Sequence, residues 1–235
     1  MKNKLVAETP ETDRLSWREQ AVARSLDSAR IRAESRVQRF LDAAIELLNA
    51  GPSKDFTVQE VVERSGQSLR SFYQYFGGKH ELLLALFEES VRWTADHLRD
   101  EIATEEGALE RLHRFVVEYY RLCRPVEQPT TVVNARPPIM AEFAQQLLTT
   151  HPKEAARAFV PLVALFEELL DEAVAAKSIR EDLRRGPTVG VVLEVIMFNA
   201  FSSTIGGSSV RPEDDGSAEE LWKFVLHGIG NIAPA

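Results

Sequence analysis

Two helix-start signals, at Thr57 and Ser68, stand on either side of Gly66, and they leave this stretch few ways to fold. Thr57-x-x-Glu60 has the spacing of a capping box, in which each side chain satisfies a backbone amide of the other's residue. Phe56 precedes the box where an apolar residue can staple onto Val61 one turn later. A short helix is predicted over 58–65. Gly66 then opens the turn Gly66-Gln67-Ser68, and Ser68 can cap a second helix over 69–75. Two short helices joined by a glycine-containing turn of about 3–4 residues make a helix-turn-helix, whose second helix leads with its N-terminal residues into the DNA major groove.

The remaining periodicity is helical too. No hairpin signal or alternating strand run stands out, so an all-α fold is predicted. Residues 11–50 hold no Gly or Pro, and Val22, Leu26, Ala29, Ala33, Val37 and Phe40 recur at three- and four-residue steps. Ser16-Trp17-Arg18-Glu19 repeats the capping-box spacing, which predicts an extra helix ahead of a first domain helix over about 36–49. Gly51-Pro52 ends that helix. Further helices are predicted near 79–103, 107–123, 137–149, 153–177, 187–203 and 217–232. Breaks fall at Gly107, Pro125–Pro129, His151-Pro152, Gly186-Pro187 and the polar run Gly206–Gly216.

Charge is unevenly spread. The chain carries a net −8, yet residues 1–80 balance at +2 and the rest at −10. Affinity for phosphates follows the local patch rather than the total. Arg24, Arg30, Arg32, Arg36 and Arg39 precede the motif, either as a basic arm for DNA or as an ordinary solvated helix face. The single cysteine, Cys123, rules out a disulfide framework and fits a reducing cytoplasm. The apolar start Leu5-Val6-Ala7 is too short for a secretory signal, and Val189–Ala200 is interrupted by Glu194 and Asn199, so no membrane span is expected.

Within the motif, Val61, Val62, Phe72 and Phe76 supply a small core, which leaves Arg70, Ser71 and Gln74 outward. Arginine can hold guanine O6 and N7 with two hydrogen bonds. Tyr73 and Tyr75 carry hydroxyls able to reach phosphate oxygens, and Lys79 opens the next helix, where free amides and a cation together favour phosphate.

Phe56–Leu83 resembles the signature of the TetR (tetracycline-repressor-like) regulators: T-hydrophobic-x-x-[IV]-A-x-x-[AS]-G, a short recognition helix ending Y-x-[YHF]-F, then a small residue and K-x-x-L. Thr57, Val58, Val61, Ser65, Gly66, Tyr73, Tyr75, Phe76, Lys79 and Leu82 stand in those places. The likeness is specific over about 36–90. It implies that Thr57 and Gln59 approach DNA from the first motif helix, that Leu69, Arg70 and Ser71 behind the Ser68 cap read bases, and that Tyr73, Tyr75 and Lys79 contact phosphates. Three departures from the pattern stand out: Gln67 replaces a usual buried aliphatic residue, Arg70 a commonly small one, and Gly77-Gly78 the usual Ser or Asn cap.

The resemblance further implies a small-molecule effector and a homodimer formed through the last two long helices. Residues 187–203 are apolar nearly all round, and 217–232 carries Leu221, Trp222, Phe224, Val225 and Ile229; the two stretches suit either a dimer interface or a monomer core. Phe87, Trp93, Phe115, Tyr119, Phe143, Phe159 and Phe166 could line a pocket or simply fill a core, and Asn199 could contact a ligand or bond between helices.

No catalytic footing appears. His80, His97, His113, His151 and His227 are scattered, with no H-E-x-x-H pair or zinc spacing, so neither a metal site nor a cofactor is expected. Nothing beside Cys123 signals an activated thiol. The expectation is a cytoplasmic, non-enzymatic regulator that binds a double-stranded DNA operator and represses until a small lipophilic ligand releases it. Its divisions would be an N-terminal extension over 1–31, a DNA-binding domain over 32–78 and an effector and dimerisation domain over 79–235. The alternative is a helical ligand-binding or adaptor protein whose motif does not touch DNA.

Overall fold

The computed structural model describes residues 16–50, 56–124, 140–202 and 216–230, and among them every regular element is an α-helix. The predicted breaks at 125–129 and over 206–215 lie outside these residues. Two compact units are formed, one holding the first three helices and the other the remaining six.

The first unit opens with α1 (Trp17–Ala50), followed by α2 (Val58–Ser65) and α3 (Leu69–Tyr75). Contrary to the expected pair of helices before residue 50, α1 is one unbroken helix of 34 residues, about 51 Å long. With no Gly or Pro in the segment, nothing interrupts its hydrogen-bond ladder. The Ser16–Glu19 capping box is formed, with the Ser16 amide donating to Glu19 Oε2 at 2.8 Å. Only the C-terminal part of its apolar face is buried, from Phe40 to Leu48; Val22 and Leu26 are 53% and 64% exposed. A stripe at helical spacing therefore forms a helix without finding a core to enter.

The second unit comprises α4 (Lys79–Ile102), α5 (Ala108–Cys123), α6 (Met140–Thr150), α7 (Pro152–Ala175), α8 (Arg185–Ser202) and α9 (Ser217–Ile229). Here α5 packs against α4, α7, α8 and α9, while α7 also packs on α4, α6 and α8. Phe115 of α5 and Phe166 of α7 are fully buried, with ring centroids 4.8 Å apart. Pro152 sits in the first turn of α7, where no amide is missed; Pro161 lies within it and removes one ladder bond. Likewise α8 begins two residues before Pro187, which occupies its first turn. Along α8, Val189 and Ile196 are fully buried, whereas Val191 is 60% and Phe198 39% exposed. No described helix is long and apolar enough to cross a membrane.

Candidate functional site

The turn between α2 and α3 is built as its residue types dictate. Thr57 accepts from the Glu60 amide at 3.2 Å, and its own amide donates to Glu60 Oε2 at 2.7 Å, which closes the capping box. The Thr57 hydroxyl also donates to Glu60 at 2.8 Å. Gly66 ends α2 in the left-handed region at φ 63°, its amide donating to the Glu63 and Val62 carbonyls. Ser68 then caps α3 by accepting from the Ser71 amide at 3.1 Å. Arg64 pairs with Glu46 at 3.1 Å and ties α2 to α1.

Beneath the turn, Val61 and Phe72 are fully buried, and Phe56 and Phe76 nearly so. Phe72 stands edge-on to Phe40 with centroids 5.4 Å apart, so α3 is seated on α1 through its aromatic face. The opposite face is open: Leu69 and Tyr73 are 43% and 56% exposed, and Arg70 and Gln74 are exposed as well. Tyr75 is half-buried at the end of α3. Thr57 and Gln59 are exposed on the α2 side, with the Gln59 amide donating to Glu63 at 2.9 Å. Lys79 opens α4, in the second unit.

Ser71 does not follow the outward placement read from the sequence. It is half-buried, and its hydroxyl is enclosed without a hydrogen-bond partner among the described residues. Being one residue from buried Phe72, it lies at the edge of the packed face. Arg36, by contrast, gains a specific place. With Gly66, Gln67, Ser68, Arg70, Ser71 and Gln74 it lines an open groove of about 330 Å³. Neither Arg36 nor Arg70 pairs with a carboxylate among the described residues. The groove thus holds two guanidinium groups, hydroxyls and amides, the chemistry that receives phosphates and base edges. Only the helical register of α1 relative to α3, which a sequence does not print, could have singled out Arg36 from its neighbouring arginines.

The candidate effector residues separate into groups. Phe87 is buried and meets Phe143 at 6.0 Å and Phe159 at 5.4 Å. Phe115 meets Tyr119 and Phe166 in a second buried cluster. Trp93 is half-buried and stacks on His97 with its ring 5.2 Å away. Asn199 belongs to none of these, being exposed on α8. Cys123 is half-buried beside Tyr119, and desolvation pushes its thiol up to about 12, which favours the protonated form over the thiolate nucleophile.

The pattern for bacterial regulatory proteins of the tetR family matches residues 40–86, which spans the end of α1, both motif helices and the start of α4. Over most of its length the chain is similar to the HTH-type transcriptional regulator YvdT of Bacillus subtilis, with 20% identity covering 82% of this chain and 94% of that one. Its fold is similar to FadR of Bacillus subtilis in complex with stearoyl-CoA, with TM-score 0.62 and 15% identity over 82% of this chain and 98% of the other. A second likeness is to Thermus thermophilus FadR in complex with lauroyl-CoA, with TM-score 0.60 and 20% identity over 85% and 98%.

Proposed function

We propose that the chain is a TetR-family transcriptional regulator, a homodimeric repressor that leaves its operator when a small lipophilic ligand binds the second unit. The observation that carries the DNA reading is the capped α2–turn–α3 unit. It buries Phe72 and presents Arg70, Tyr73 and Gln74 beside a groove that also receives Arg36. In this reading α3 enters the major groove. Leu69, Arg70 and Gln74 meet base edges, with Ser71 contributing only at the rim of the packed face. Tyr73, Tyr75 and Lys79 hold phosphates, Thr57 and Gln59 flank the backbone, and Ser68 fixes the leading turn of α3.

Dimerisation is supported by the apolar groups that α8 and α9 leave uncovered, Val191, Phe198 and Phe224, the last 69% exposed. The half-sites read by such a dimer would lie about one helical turn of DNA, or a multiple of it, apart. The lipophilic effector is supported by the aromatic clusters around Phe87 and Phe115, and by two neighbours of the same fold in complex with stearoyl-CoA and lauroyl-CoA. A fatty acyl thioester is therefore the first ligand class to test. The ligand would release DNA only by as much as it prefers the conformation with mismatched recognition helices.

Gel-shift titration against genomic fragments across a salt series tests this reading. Operator binding should weaken steeply with salt, and the Arg70→Ala, Tyr73→Phe double variant should lose specific affinity. Unchanged affinity in that variant for every fragment would instead favour a helical adaptor that does not use its motif on DNA.

A further inference from the structure

His80, His151 and Glu154 bring their ligand atoms within 4.8 Å of one another in the second unit, and we propose that they form a binding site for a divalent transition-metal ion of the zinc class. The fold alone creates the cluster. His80 lies in the first turn of α4, whereas His151 caps α7 and Glu154 follows in its first turn, so an H-x-x-E spacing sets the last two on one side of that turn.

His80 Nε2 lies 3.1 Å from Glu154 Oε2, and the His80 and His151 rings face each other with centroids 4.8 Å apart and planes tilted by 38°. Around a tetrahedral ion with metal–ligand bonds of about 2.0–2.1 Å, donors stand about 3.3 Å apart. Small side-chain rotations would therefore bring all three onto one ion. Imidazole and carboxylate are ligands that zinc, cobalt and nickel accept.

The contacts of Thr150 favour the His151 tautomer in which Nε2 can serve as a ligand. Its Nδ1 lies 2.8 Å from Thr150 Oγ1, and the Thr150 hydroxyl donates its one proton to the Gln146 carbonyl at 2.7 Å. The remaining contact must run from Nδ1–H to the hydroxyl oxygen, which leaves the Nε2 lone pair available. A simple His80–Glu154 ion pair would leave that second imidazole unexplained. Three protein ligands leave a fourth position for water or a small anion, and the exposure of both histidines lets an ion enter.

The test uses the full chain, stripped of metal with a chelator and titrated with Zn2+, then with Co2+ followed by its d–d absorption. One ion per chain is expected, with affinity at least tenfold lower in His151→Ala and in Glu154→Gln. Thr150→Val keeps all three ligands and should lower affinity about tenfold through the lost second contact. His113→Ala, an exposed histidine paired with Glu219 elsewhere, should change nothing. Absence of saturable binding, or equal affinity in wild type, His151→Ala and Glu154→Gln, would overturn the site. The readout needs no DNA, so it stands or falls separately from the repressor reading.

Discussion

Phe40 and Phe72 meet at 88° with centroids 5.4 Å apart, and both rings are fully buried. This edge-to-face contact links the long first helix to the candidate recognition helix. Phe76 adds a third ring, 5.4 Å from Phe72 and 6.1 Å from Phe40. With only seven residues, α3 has no stability of its own and depends on this seat. Phe72→Ala should cost about 3–5 kcal/mol, enough to melt the first unit ahead of the second in a thermal scan. A double-mutant cycle with Phe40→Ala should return a coupling of about 0.5–1.5 kcal/mol from ring geometry. Additive losses would show that the two rings act independently.

Gly66 holds φ 63° and ψ 24°, and a Cβ built there meets nothing within 4 Å. Any cost of a side chain is therefore the backbone cost alone. Gly66→Ala should destabilise by about 1–2 kcal/mol, and Gly66→Asn by less, because asparagine visits the left-handed region more readily. Lys177 is the converse, a non-glycine residue at φ 57° after α7. Lys177→Gly should raise stability by up to about 1 kcal/mol by denaturant titration.

Local signals were legible in the sequence wherever backbone chemistry decides. The caps at Thr57 and Ser68, the turn at Gly66 and the bounds of α2 and α3 follow from neighbouring residue types. What periodicity could not say is which stripe finds a partner. Val22 and Leu26 have the spacing of core residues yet stay exposed, and Asn199 faces solvent although it interrupts an apolar run. Ser71 looked outward because a polar residue beside an aromatic usually is, but α3 is so short that its packed face reaches it. Contacts between distant segments were invisible for the same reason: nothing local announces that His80 meets His151, or that Arg36 shares a groove with Arg70.

Arg36 gives a prediction that separates positioning from reading. It faces the groove from α1, one helix away from α3, so on a bound duplex it would meet a phosphate rather than a base. Arg36→Gln should weaken binding to all sequences alike and reduce the slope of log K against log salt by about 0.9. Arg70→Ala should instead relax preference at particular base pairs, at a cost of about 1–3 kcal/mol on the preferred operator. Binding-site selection with each variant distinguishes the two, and a changed motif for Arg36→Gln would refute its assignment.

Cys123 makes stability depend on alkaline pH, with a sign fixed by its burial. In the unfolded chain a thiol ionises near pH ~8.5, whereas desolvation beside the Tyr119 hydroxyl pushes the folded thiol up to about 12. Between those values the unfolded state has released a proton that the folded state keeps, so rising pH favours unfolding. The contribution is complete below ~8.5 and amounts to a loss of about 2 kcal/mol by pH ~10. Tyr119 is raised well above its ordinary value by the same burial, which extends the loss in the same direction above its unfolded range. Cys123→Ser keeps a hydroxyl against Tyr119 but does not titrate there. Its denaturation midpoint should stay flat from pH 8 to 10 while that of the wild type falls. Parallel curves for the two proteins would mean that the thiol is not desolvated, and native Cys123 should then react with thiol reagents as fast as in denaturant.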